Sequence, residues 1–146
     1  YRVMSIVEVN FGSLKGGQRM PRRRIVAVFR AVLRTVKRAG RSSVSIAFVN
    51  AQAMRRLNES YYGGRGVTDV LAFPSDALSG RDGYLGEILV YYPRAKQQAQ
   101  ARGASVRQEI DLLLAHGLLH LLGYDHDTPS KAARMFRLQD RSLQSL

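Results

Sequence analysis

Apolar positions along this chain of 146 residues switch between two periods, and the switches divide it into strands and helices. Val3–Val9 is rich in β-formers and alternates loosely, which predicts a first strand. Phe11–Gln18 carries Gly12, Gly16 and Gly17 and reads as a loop. Pro21 suits the first turn of a helix, and Ile25, Val28, Phe29, Val32, Leu33 and Val36 then recur at helical spacing. Arg30, Arg34, Lys37 and Arg41 fall on another face, so this helix has an apolar side for a core and a basic side for solvent or phosphates. Gly40 ends it, and Val44–Val49 reads as a strand. Asn50 caps a short helix through about Tyr61 that includes Met54 and Leu57. Gly63, Gly64 and Gly66 make a loop that holds Arg65. Thr68–Phe73 is a short strand stopped by Pro74, with Thr68 and Asp69 stabilising the turn into it. A polar loop over 75–83 leads to a strand at Tyr84–Tyr91 and a helix from about Pro93 to Arg102, closed by Gly103. Ser105 caps the next, apolar helix, with Gln108 in the return position of a capping box. A final helix starts at about Ser130 and carries Ala133, Met135, Phe136 and Leu138. Strands mixed with helices, without internal repeats, predict an α+β fold. The expectation is a single domain over 1–146, with a small mixed sheet packed against about five helices.

Composition narrows the setting. Apolar residues make up 45%, as in a globular protein of one-domain size. No run has the length of a membrane helix; Leu112–Leu122 is apolar but short. The sequence begins at Tyr1 rather than Met, as expected where the true start is missing or processed. Cys is absent, which excludes disulfides and thiolate metal sites and fits a reducing, cytoplasmic setting. The net charge of +12 is uneven: residues 1–41 hold eleven Lys/Arg and one acid, Glu8. A one-signed half points to a polyanionic partner, most simply nucleic acid, rather than to a merely solvated surface.

The three histidines of the chain all fall in one run, H-G-L-L-H-L-L-G-Y-D-H, as His116, His120 and His126. Four residues advance a helix by about 400°, so His116 and His120 project from nearly one face, about 6 Å apart along the axis. Gly123 breaks the helix and lets the chain turn back, which brings His126 within reach of the same point. Burying imidazoles together is costly unless something satisfies their lone pairs, and a metal does so. Three protein ligands with a fourth position left for water is the pattern of catalytic Zn²⁺, which lowers the pKa of that water toward ~7. Imidazole also suits Ni, Cu and Fe. One Zn²⁺ per chain, on a helix of the C-terminal half, is the expectation.

The spacing matches the extended zinc-protease motif H-E-x-x-H-x-x-G-x-x-H at His116, His120, Gly123 and His126. It departs at the second position, where Gly117 replaces the glutamate that serves those proteases as general base. That argues against a protease. The whole run resembles the signature of the YbeY-type bacterial endoribonucleases of ribosomal RNA maturation. The resemblance extends to Leu57-Asn58, Tyr61, Thr68-Asp69-Val70-Leu71 and Phe73-Pro74, similar to L-N-x-x-Y-R…T-D-V-L-S-F-P, and to Leu85-Gly86-Glu87-Ile88, similar to L-G-D-I. It implies a zinc-bound, cytoplasmic, single-strand-specific RNA nuclease that associates with ribosomes or small-subunit components, with no membrane role. By position, His116, His120 and His126 are the implied metal ligands.

Two departures matter. Where the family places a functional arginine after the Tyr, this chain has Tyr62, and Ala72 replaces the Ser of L-S-F-P. Arg65, three residues on, is either a substitute for that arginine or a solvated loop charge. Asp125 either hydrogen-bonds a ligating imidazole or pairs elsewhere. Glu87, Glu109 and Asp111 are weaker base candidates; Asp111, five residues before His116, reads as a surface charge. Arg22, Arg23, Arg24, Arg30 and Arg34 are expected to contact RNA phosphates. Tyr61 and Tyr62 suit stacking on unpaired bases, while Phe73 suits core packing. Attack on phosphorus by metal-activated water and attack by the ribose 2′-hydroxyl both remain open. So do two other functions: a zinc hydrolase of another substrate, and a metal-stabilised RNA or ribosome assembly factor.

Overall fold

Alternation along the strands sorts their side chains between the two faces of one sheet. In the computed structural model, which describes residues 3–12, 14–76 and 83–146, four strands form this sheet: β1 (Val3–Asn10), β2 (Gly40–Phe48), β3 (Val70–Pro74) and β4 (Tyr84–Val90). Their order is β1-β2-β4-β3. β2 runs parallel to β1 and to β4, and β3 closes the far edge antiparallel to β4. The sheet is therefore mixed, and the fold is α+β as expected. Most of the polar loop expected at 75–83 lies outside the described residues.

Two apolar clusters flank the sheet. Val44, Ile46 and Phe48 of β2 and Ile88 and Val90 of β4 enter the larger one. There they meet α1 (Arg22–Thr35) and α4 (Val106–Leu121). The predicted stripe of α1 is realised, with Ile25, Val28, Phe29, Val32 and Leu33 all buried. α4 is buried nearly all round, as an apolar helix between a sheet and other helices must be. α3 (Tyr92–Arg102) and α5 (Pro129–Gln144) pack against α4. On the other face α2 (Ala51–Tyr62) covers a smaller cluster of Met54, Leu71 and Leu89, joined by Phe73. Among the described residues no helix is long and apolar enough to cross a membrane.

Three boundaries differ from expectation for physical reasons. α1 stops at Thr35, before Gly40, because Lys37 takes a left-handed φ of 58° and Arg38 N–H bonds back to the Leu33 carbonyl. Gly40 instead opens β2, whose parallel pairing reaches back to Val3 of β1. Pro74 belongs to β3, where an edge strand tolerates a residue without an N–H. Asp111, read as a surface charge, is buried at 3% exposure. Its carboxylate accepts from Arg24 Nη2 at 2.6 Å and Nε at 3.2 Å, so α1 supplies the countercharge 87 positions away in the chain.

Candidate metal centre and its cleft

Helix α4 carries the site because both of its ends are well made. Ser105 Oγ accepts from Gln108 N–H and Gln108 Oε1 accepts from Ser105 N–H, the expected capping box. At the other end Gly123, at φ 96°, lets Gly123 N–H reach the His120 carbonyl and Tyr124 N–H reach that of Leu119. This pair of bonds is a Schellman turn, and it reverses the chain. His126 returns over the helix, and one nitrogen from each of His116, His120 and His126 lies within 4.8 Å of the others. His116 and His120 are half-buried and His126 is exposed.

The protonation pattern suits a cation. His116 Nδ1 lies 3.0 Å from Gln139 Oε1 on α5, and an amide oxygen only accepts, so the imidazole proton sits on Nδ1. His120 is held through a hydrogen bond to the Tyr124 backbone. The two Nε2 atoms lie 3.2 Å apart. Burial pushes both imidazoles below their ordinary pKa, which favours neutral, ligating rings. Two half-buried imidazoles with ring nitrogens this close, and a third imidazole nitrogen within 4.8 Å, form a donor set that fits a metal ion. Phe136, one turn before Gln139, stacks over His116 and His126 with ring centres 6.3 Å away. Gln139 was not legible in the sequence; its only signal is placement three residues after Phe136 on the same helix face.

The other candidates separate. Asp125 Oδ1 accepts from the Asp127 N–H, and hydrogen bonds at Asp127 hold its carboxyl below the usual range. It shapes the return loop and pairs within it. Glu109 is buried against Arg102 at 2.9 Å, as Asp111 is against Arg24. Glu87 is exposed on β4, two residues before Leu89 and thus on the α2 side of the sheet. A side chain at Gly117 would be crowded: a Cβ there would stand 3.1–3.3 Å from the side chain of Ile88.

His116, Gly117 and His120 floor a cleft of about 350 Å³ whose walls are Asn58 and Tyr62 of α2 and Thr68 to Pro74 around β3. Thr68 Oγ1 and Val70 N–H both donate to Asp69 Oδ1, the expected turn into β3. Asp69 also adds negative charge near His116. Arg65 is exposed on the loop beyond Tyr62 and is not among the residues lining the cleft. Arg22, Arg23, Arg24, Arg30 and Arg34 line a different groove of about 580 Å³, on α1 beside Ser145 and Leu146. Within it Arg22 donates to the Val7 carbonyl and Arg24 is committed to Asp111.

The free edge of β3 borders the cleft, and it is blunted. Tyr91 N–H bonds the Asp69 carbonyl and Ser75 N–H bonds that of Leu85, so odd-numbered residues pair with β4 and Val70, Ala72 and Pro74 turn outward. The Val70 N–H is taken by Asp69, the Ala72 carbonyl by the Tyr62 hydroxyl, and Pro74 has no N–H. An extended peptide has fewer groups there to pair with than along an ordinary free edge.

Comparison with known proteins agrees with this picture. The chain is 40% identical over 146 aligned positions to an endoribonuclease YbeY of Renibacterium salmoninarum, covering 95% of this chain and 91% of that one. It is 37% identical to the endoribonuclease YbeY of Kineococcus radiotolerans, covering 94% and 84%. Its fold is similar to the solution structure of TM1509 from Thermotoga maritima, with a TM-score of 0.59, 22% identity and coverage of 96% and 91%. Residues 15–146 match the family model described as endoribonuclease YbeY, and the chain belongs to that family.

Proposed function

We propose that this protein is a zinc-dependent endoribonuclease that cuts single-stranded RNA, with ribosomal RNA in the cytoplasm as its working substrate and the ribosome or small subunit as its partner. The reading rests on one observation above the others: the Nε2 atoms of two imidazoles of α4 lie 3.2 Å apart, with a third imidazole beside them. His116, His120 and His126 would hold one Zn²⁺ per chain. That ion supplies Lewis acidity to a phosphodiester oxygen and to the attacking group.

The surroundings favour a phosphodiester over a peptide. Three neutral ligands leave the charge of a dication uncompensated, which favours an anionic substrate. Gly117 offers no carboxylate where the protease scheme has its base, and the partly blunted β3 edge is a poorer template for a peptide. Arg22, Arg23, Arg24, Arg30 and Arg34 line one groove and offer sequence-independent contacts to a phosphate backbone. Arg65 is assigned the cation beside the scissile phosphate. Asp125 is assigned the support of the loop that presents His126.

The test uses purified protein with measured zinc content, assayed on single-stranded RNA, duplex RNA and casein beside His120→Ala. Zinc near one per chain and cleavage of single-stranded RNA, both lost in His120→Ala, support the assignment. Casein cleavage without RNA cleavage would overturn it, and bound zinc without any cleavage would favour an assembly factor. RNA affinity should fall steeply with added salt. Arg65→Ala should slow cleavage; an unchanged rate removes Arg65 from the mechanism.

A further inference from the structure

Tyr62 lines the cleft on its α2 side, and Tyr61, its neighbour on α2, packs against the same Phe73. Tyr61 is 70% exposed and Tyr62 is 52% exposed. Each ring meets Phe73 edge-on, with centroids 5.5 Å apart, and Phe73 is itself packed in the apolar cluster under α2. Tyr62 is anchored a second time, because its hydroxyl donates to the outward carbonyl of Ala72. Burial of that phenol raises its pKa, so it stays protonated and keeps donating. The two rings are thus held in place while much of their surface remains in water.

Scattered exposed aromatics are ordinary, but two held on one buried ring, one of them lining a cleft, are not. Tyr62 lines that cleft together with His116 and His120. Its volume of about 350 Å³ suits a group of nucleotide size. A tyrosine at this place offers no charge to a phosphate; it offers a π-face, which every base can stack on.

We propose that Tyr61 and Tyr62 form a stacking subsite for one unpaired base, next to the phosphodiester addressed by the three histidines. The proposal rests on the endoribonuclease reading and adds a source of substrate selection to it. A base can reach these rings only by leaving its own stack, so the subsite favours single strands and tolerates any base identity.

The test measures kcat and KM of the zinc-loaded protein on a short single-stranded RNA and on a set in which one position at a time is an abasic ribose. In the wild-type protein one abasic position near the cut should raise KM about tenfold, the scale of one base-on-aromatic stack. Tyr61→Ala and Tyr62→Ala should each raise KM for the intact RNA and weaken that abasic penalty, with kcat changed less than about twofold and thermal melting checking the fold. Tyr62→Phe should restore most of what Tyr62→Ala loses. A penalty of full size in both alanine variants overturns the subsite while leaving the nuclease reading intact. A zinc-loaded wild-type protein that cuts none of the RNAs overturns both.

Discussion

The two halves of α4 bury polar groups in opposite ways. In the first half Glu109 and Asp111, each 3% exposed, are met by Arg102 and Arg24 from neighbouring helices. Each charge there has its countercharge, and nothing is left to bind. In the second half His116 and His120 have Gln139 and a backbone group behind them, but in front they face each other and the imidazole of His126. A buried polar group that is satisfied on one side only is where a ligand belongs. One helix therefore shows the difference between a polar residue that stabilises a fold and one held ready for chemistry.

The largest test of this contrast is the removal of a front-facing imidazole. His120→Ala should abolish both zinc binding and RNA cleavage while leaving the fold intact, read by metal analysis and a cleavage assay. Chelator treatment of the wild-type protein should mimic it, and zinc should restore activity. Arg24→Ala strikes the closed half instead. It leaves Asp111 buried without a partner, and such losses cost about 3–5 kcal/mol in fully buried pairs. Because the Arg24 side chain is 43% exposed, about 2 kcal/mol is expected in denaturant unfolding, with zinc stoichiometry unchanged.

Gln139→Leu separates support from ligation. It keeps the volume behind His116 but removes the acceptor that fixes its tautomer, so zinc affinity should fall about 10- to 100-fold. An unchanged affinity in competition with a chelator would show that the ring orients itself. The smallest effect is expected from Gly117→Ala, whose new methyl meets Ile88 at 3.1–3.3 Å. Overpacking of this kind costs about 1 kcal/mol or somewhat more. Gly117→Glu should unseat α4 from β4 rather than create a peptidase, which a casein assay and a melting curve would decide together.

What was legible in the sequence follows the range of the interactions. His116 and His120 announce themselves because helical spacing is local, and Gly123 because a left-handed turn selects glycine. The stripe of α1 and the capping box of α4 are local in the same way. Asp111 was misread because its burial depends on Arg24, on a helix that no local pattern connects to it. Gln139 was invisible for the same reason: its contact with His116 spans 23 positions and a change of helix. The arginines of α1 were legible as a basic face, yet their separation from the histidine cleft emerges only when α1, α4 and α5 are packed together.

The edge of β3 bears on more than the choice of substrate. A strand that ends a sheet is a template on which other chains can add, and such addition begins many aggregates. Here one amide faces its own carboxylate neighbour, one carbonyl is covered by a phenol, and one position is proline. The same three features that turn a peptide away from the cleft also keep copies of the molecule from joining sheet to sheet along that side. Replacing Tyr62 or Pro74 should therefore carry a cost in solubility at high concentration, apart from anything it does to catalysis.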